Sequence, residues 1–387
     1  MSEGQRGIDP GSEDSRRFIE IALRISFILV LLCGFLVAIQ CMGGSFKLMG
    51  KETSAGLFEG VANPFSALAV GILATVLVQS SSTTTSMIVT LVGSGEVSVE
   101  HAVPMIMGAN IGTTVTNTLV SVGHVRQSTT FKRAFAAATV HDFFNLLCVV
   151  IMLPLELLTG FLSKSAIWMT QIFDGASGSD YKSPVKVAVK SAYTHIVQTL
   201  ESLGFDGLPL ALVVLTIGIG LTFICLIYIT KNMRTLIAGR MEEALNRSLG
   251  RSGLIGIVVG ACLTVAVQSS SITTSLMVPL CAAGILTLQN AFPIMLGANI
   301  GTTVTALLAS AAADSSAGLT IALVHGLFNL AGTALFYPFQ RVRQIPIYLA
   351  ERLAEKASEN PLWVLGYVLG VFVVVPLAGI WAVDTFG

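Results

Sequence analysis

A chain of 387 residues that is 53% hydrophobic and 11% charged cannot cover a water-facing surface, because soluble domains carry about 25% charged residues. With a mean hydropathy of +0.79 it reads as an integral membrane protein, and its zero net charge gives nucleic acid no basic field to bind. The six cysteines (Cys33, Cys41, Cys148, Cys225, Cys262, Cys281) lie in or beside apolar runs without metal-ligand spacing. They read as small reduced core residues.

Taken in order, residues 1–17 form a polar tail, too long for a signal-peptide n-region. No small-residue cleavage site follows the apolar run 18–40, so that run reads as a retained first span. A span needs about 20 mostly apolar residues. Further spans are expected at 102–122, 134–158, 208–230, 291–310, 319–339 and 362–381. Two other apolar runs, 65–93 and 254–283, differ in carrying a polar block at the centre, QSSSTTTS and QSSSITTS.

Those blocks belong to a duplication. Residues 79–116 and 268–305 align without a gap at a constant offset, since 268 − 79 and 299 − 110 both give 189. Each copy runs from QSSS to GANIGTTVT. HDFFN at 141–145 returns as HGLFN at 325–329, an offset of 325 − 141 = 184.

The positive charges decide how the polar-centred runs sit. Cytoplasmic loops are enriched in Lys and Arg. The basic segments are the N-terminus (Arg6, Arg16, Arg17), the 123–133 loop (Arg126, Lys132, Arg133), the 231–251 loop (Lys231, Arg234, Arg240, Arg247, Arg251) and 340–356 (Arg341, Arg343, Arg352, Lys356). All four fall inside only if both polar-centred runs are re-entrant hairpins. The expected fold is therefore all-α, with seven spans, the N-terminus inside and the C-terminus outside. The first hairpin then opens from the outer side and the second from the inner side, giving two inverted-topology repeats as in secondary transporters. Residues 18–158 would hold the first span and repeat 1, 159–205 an external loop and 206–339 repeat 2. A cytoplasmic amphipathic segment at 340–360 and a last span at 361–387 would follow.

The chemistry expected of the blocks follows from their composition. Non-helical chain at membrane depth survives only inside protein or beside water. A second hairpin arm starting near Ser82 or Ser271, capped by Ser or Thr, would present free N–H groups and a partial positive charge to an anion. Gly108 and Gly112, with Gly297 and Gly301, are expected to break the following helix around Asn110 and Asn299 and free oxygens for sodium. Neither copy carries a charged residue from 79 to 95 or 268 to 284, or within GANIGTT. A lone dehydrated ion is costly there, so anion and sodium would enter together as each other's counter-charge. His141, Asp142 and His325 lie in apolar sequence. They read either as functional groups or, with Asn145 and Asn329, as a buried hydrogen-bonded brace.

The paired QSSS and GANIGTT motifs, with FKRAFAAATVHDFFN, the LPLELLTG run and ALVHGLFN, resemble the type II sodium-dependent phosphate cotransporter family. That resemblance implies sodium-coupled uptake of inorganic phosphate by a homodimer, with sodium as coupling ion and no other cofactor. It implies phosphate on Ser81, Ser82, Thr83, Ser270 and Ser271. It implies sodium on Gln79, Ser80, Asn110, Thr113, Thr114, Gln268, Ser269, Asn299, Thr302 and Thr303. The short cysteine-free 159–205 segment and the end soon after Trp381 imply a bacterial member, in the inner membrane. Two other readings compete: a sodium-coupled carrier of another oxyanion, and an intramembrane serine hydrolase with His141 or His325 as base. The hydrolase reading leaves the second copy without a purpose, because one activated serine suffices, and no Gly-x-Ser-x-Gly elbow is present.

Overall fold

The computed structural model describes residues 10–50, 53, 59–123, 128–176, 184–248, 253–313 and 315–386. Arg6, Arg126 and Arg251 lie outside them, as do the side chains of Arg16, Arg17, Arg240 and Arg247. The described residues contain helix and no strand. Helix α1 (Pro10–Met49) leads into α2 (Pro64–Val78), α3 (Ser81–Ser94), α4 (Val99–Gly112), α5 (Val115–Val122) and α6 (Ser128–Thr159). After α7 (Phe161–Ala176) and α8 (Pro184–Ser202), α9 (Gly207–Ser248) leads into α10 (Gly253–Val267), α11 (Ser270–Ala282), α12 (Leu288–Ala312) and α13 (Ser316–Phe336). Helices α14 (Gln340–Glu359), α15 (Leu362–Leu369) and α16 (Val375–Phe386) follow, the last two joined by a π-helical turn at Gly370–Val374.

The duplication recurs as structure. Helices α10, α11 and α12 each begin 189 residues after α2, α3 and α4 (253 − 64, 270 − 81 and 288 − 99). Among the described residues six helices are long and apolar enough to cross a membrane: Phe18–Met49, Ser128–Thr159, Gly207–Ile237, Leu288–Ala312, Ser316–Phe336 and Leu362–Thr385. The span expected at 102–122 is two pieces, α4 and α5, separated at Thr113–Thr114. By contrast α2 and α10, with 15 residues each, and α3 and α11, with 14 and 13, rise about 20 Å at 1.5 Å per residue. That is short of a bilayer core of about 30 Å.

Glycine sets how these helices pack. A Cβ on Gly71 would stand 2.1 Å from the Met105 carbonyl oxygen, and one on Gly108 would stand 2.1 Å from that of Leu68. In the second copy Gly260 meets the Ile294 oxygen and Gly297 the Ile257 oxygen, each at 1.9 Å. Helices α2 and α4, and α10 and α12, therefore touch backbone to backbone, the small-residue packing of helices in lipid. Contacts advance together along both chains: Gly108 meets Leu68 and Ile72, and Gly112 meets Ile72 and Thr75. The two helices are thus parallel, and α3 between them runs back. The same holds for α10 and α12, where Gly297 meets Ile257 and Ala261, and Gly301 meets Ala261 and Thr264.

This packing corrects one expectation. The helix around Asn299 is not broken: α12 is continuous from Leu288 to Ala312. Gly297 and Gly301 serve close approach to α10 and do not loosen their own helix. Only the first copy is broken, just after Gly112.

Counterpart helices run antiparallel. Along α1 and α9, Arg24 bonds Asn232, Gly34 faces Cys225 and Gly218 faces Met42. Along α6 and α13, Gly332 faces Cys148, and Phe144 packs edge-on against Phe336. The chain trace also places the basic segments. Gly43, near the end of α1, meets Thr90 and Ser94 at the end of α3. Helices α4 and α5 carry the chain back to the face of Arg24, where α6 begins. There Lys132 pairs with Glu355 of α14 at 3.2 Å. Most of the 159–205 connection is helix: Gly160 turns the chain at φ 66° and the Glu156 carboxylate accepts from the Leu162 and Ser163 N–H groups at 2.6 and 3.2 Å. That caps α7, which packs against α13. Residues 177–183 lie outside the described residues.

Gly260→Ala and Gly71→Ala should each destabilise the protein by about 1–3 kcal/mol, the range for overpacking a filled core. Gly220→Ala meets nothing within 4 Å and should be neutral or slightly stabilising. Thermal unfolding of the three purified variants in detergent checks this.

Candidate functional site

The polar blocks form two matched turns. Gln79 (φ 54°) and Gln268 (φ 57°) are left-handed, alone among the described non-glycine residues. That conformation costs an ordinary L-residue roughly 1 kcal/mol. Each side chain offsets the cost with two hydrogen bonds. Gln79 Nε2 donates to the Val76 oxygen at 2.5 Å and its Oε1 accepts from Thr116 at 3.0 Å. Gln268 does the same with Val265 at 2.6 Å and Thr305 at 3.0 Å. The turn is thereby tied to the GANIGTTVT segment of its own copy.

The helices that follow start where their capping chemistry dictates. Ser80 and Ser269 are extended N-caps whose Oγ atoms accept from Thr83 N–H at 3.2 Å and Ile272 N–H at 3.4 Å. Helices α3 and α11 thus begin at Ser81 and Ser270, one residue before the expected Ser82 and Ser271. Ser81, Ser82, Thr83 and Ser270 are buried and Ser271 is half-buried. The first N–H groups of such a helix have no intrahelical acceptor. The structure therefore holds two buried helix N-termini dressed with hydroxyls, and neither block contributes a charged side chain of its own.

Each turn helix packs on the opposite copy. Helix α3 lies against α12 and α13, and α11 lies against α5 and α6. Asn117 on α5 donates to Thr274 at 2.9 Å and accepts from Ser275 at 2.8 Å on α11. No hydrogen bond joins Ser81–Thr83 directly to Ser270 or Ser271 among the described residues. What joins the copies is a buried asparagine–histidine chain. Asn145 donates to the Asn110 backbone oxygen at 2.9 Å and accepts from Asn299 at 2.9 Å. His141 meets the Asn299 side-chain oxygen and lies 3.4 Å from Asn145. Asn329 donates to the Asn299 backbone oxygen at 3.2 Å. The brace reading of these residues describes their geometry.

The residues expected around sodium are placed as follows. Thr113 and Thr302 donate to the carbonyls of Ala109 and Ala298, both at 3.0 Å. Thr114 donates to Ile111 and the Asn110 amide to Ile106, again both at 3.0 Å. The Thr303 hydroxyl is buried without a partner. Asn299 spends both ends of its side chain on His141 and Asn145. One expectation needs amending: the segments themselves are charge-free, yet folding brings Asp142 beside Thr114, where it accepts from Tyr367 at 2.7 Å. The second copy has Gly326 there, its Cβ position 3.0 Å from Thr303 Cγ2.

Asn117 and Tyr367 escaped the reading of the sequence. Asn117 could have been found, because its partner at offset 189 is Ala306, a polar residue present in one copy only. Tyr367 lies outside the repeats and carries no such signal. No serine hydroxyl of either block bonds His141 or His325 among the described residues, so the triad geometry of a hydrolase is not formed there.

Fold and site together define a helical membrane protein built around a duplicated, neutral polar centre, the kind of centre that transporters use. The Na+/Pi-cotransporter family matches residues 35–168 and 221–350. The chain is 32% identical to sodium-dependent phosphate transport protein 2A of Ovis aries, over 97% of this chain and 70% of that one. It is 33% identical to protein 2A of Mus musculus, over 93% of this chain and 67% of that one. It is 32% identical to protein 2B of Homo sapiens, over 90% of this chain and 64% of that one. No solved structure matches. The chain belongs to the Na+/Pi-cotransporter family, a family of transporters and not of enzymes.

Asn145→Ala should cost about 2 kcal/mol, because it strands the Asn110 oxygen and the Asn299 amide in the core. Asn329→Ala removes the single bond to the Asn299 backbone oxygen and should cost about half as much. Unfolding midpoints of the two variants in one detergent test the order.

Proposed function

We propose that the protein is a secondary active symporter that carries inorganic phosphate together with sodium across the plasma membrane. The carrying observation is the pair of capped, charge-free helix N-termini, one per copy, each packed on the other copy. Helix ends of this kind hold anions through backbone N–H groups. With no Lys or Arg to compensate a bound phosphate, sodium must supply the counter-charge, which is the physical basis for obligatory coupling. The names of the relatives, sodium-dependent phosphate transport proteins, point the same way.

In this reading Ser81, Ser82, Thr83, Ser270 and Ser271 contact phosphate. Gln79, Ser80, Asn110, Thr113, Thr114, Gln268, Ser269, Asn299, Thr302 and Thr303 hold sodium or complete its surroundings. Asn299 does so through the geometry it imposes, its side chain being committed to His141 and Asn145. The 15-residue first arms and the returning second arms support two re-entrant hairpins. Antiparallel α1 with α9, and α6 with α13, support inverted repeats that place both tips near mid-depth. The shared face of Arg24, Lys132 and α14 supports a cytoplasmic N-terminus and an external C-terminus. A homodimer in a bacterial inner membrane completes the proposal.

Proteoliposomes should take up radiolabelled phosphate with sodium outside and not when potassium or choline replaces it. Ser82→Ala and Ser271→Ala should each lower uptake at least tenfold with the protein still folded, a loss of about 1.4 kcal/mol in binding. Undiminished uptake in both variants would refute the assignment. Competition by excess sulfate would move the substrate to another oxyanion.

A further inference from the structure

A cavity of about 650 Å³, which shares no lining residue with the two turns, lies at the face where α6 begins. Its walls come from the first turns of α6 (Thr129, Lys132, Arg133), the α11–α12 link (Gly284 to Gln289) and α14 (Tyr348, Glu351, Arg352, Glu355). Two long helices, α6 and α12, direct their N-termini into it, and each brings partial positive charge. Three cationic side chains line it against two acidic ones. The pairing is uneven. Glu355 takes both Lys132 and Arg352, each at 3.2 Å, and Lys132 foremost holds its carboxyl below the ordinary carboxylate range. Arg133 has no acidic partner among the described residues. Its guanidinium lies over the turn at Gly284 (φ 74°), 2.7 Å from where a Cβ would stand. The bare glycine makes room for it. Lys132 and Arg352 thus share the one Glu355 carboxylate within the wall, whereas Arg133 and the helix ends remain to bind.

We propose that this cavity is a second anion site that takes a phosphate group on Arg133 and the α12 N-terminus, separate from the transport site. A planar guanidinium binds phosphate through two parallel hydrogen bonds, and backbone N–H groups at Leu288 and Gln289 complete the cradle. Glu351 on the facing wall sets a limit on the charge accepted. The phosphate can arrive on a lipid headgroup, since α14 is amphipathic and lies at the membrane surface in the proposed topology, or as the free ion.

Calorimetric titration of the purified full chain tests this in sodium-free potassium buffer, where the transport site lacks its coupling ion. The probes are inorganic phosphate and short-chain phosphatidylglycerol. Binding of either is expected: a response to the lipid alone identifies the headgroup as the source, and a response to phosphate identifies the free ion. Arg133→Gln should weaken binding roughly tenfold, the effect of losing a charge-assisted pair, and Glu351→Gln should tighten it. If neither probe binds, or both variants match the wild type, the proposal fails. Loss of binding in Ser82→Ala would assign the anion to the transport site and overturn it as well. Sodium-dependent uptake is read separately, so failure here leaves the symport reading standing.

Discussion

The architecture depends on backbone meeting backbone where glycine removes the side chain. Lipid gives helices little hydrophobic reason to associate, so close van der Waals contact and polar bridges must do it. Gly71 with Gly108 and Gly260 with Gly297 provide that contact once in each copy. Because each pair locks a short helix alongside a parallel neighbour, the helix between them has to return. The left-handed glutamines at 79 and 268 make the return possible without a glycine. Their side chains satisfy the carbonyls of Val76 and Val265, which the end of each helix would otherwise leave open.

The second constraint is exchange between the copies. Each turn helix rests on spans of the other half, so neither half can bury its polar face alone. Asn145 bridges the two GANIG segments, accepting from one asparagine and donating to the backbone of the other. Pseudo-symmetry is kept in the turns and given up around them. The first copy breaks its helix, acquires Asn117 and carries Asp142 with Tyr367 from outside the repeat. The second stays continuous and has Ala306 and Gly326 in those places.

Charge is distributed in a way that suits transport. The turns carry none, so an ion there depends on fixed dipoles and on an ion of the other sign. The rim at α6 and α14 holds Lys132, Arg133, Arg352 and the acids that partly balance them. In the proposed topology charges in that position meet the headgroup region and water, where their cost is small.

The sequence by itself determined the membrane class, the duplication, the polar turns with their serine caps, and the family. Each of these rests on composition or on local rules: hydropathy, a constant offset, and capping that reaches no further than three residues. Tertiary structure decided whether GANIG glycines break a helix or let another approach, since the same residue serves both and only the neighbour at Ile257 or Leu68 distinguishes them. It alone placed Asp142 beside Thr114 and bound His141 to Asn299, contacts between residues 28 and 158 positions apart (142 − 114 and 299 − 141). Pairings at such separations leave no local pattern, because they follow from how whole helices pack and not from the order of residues within one.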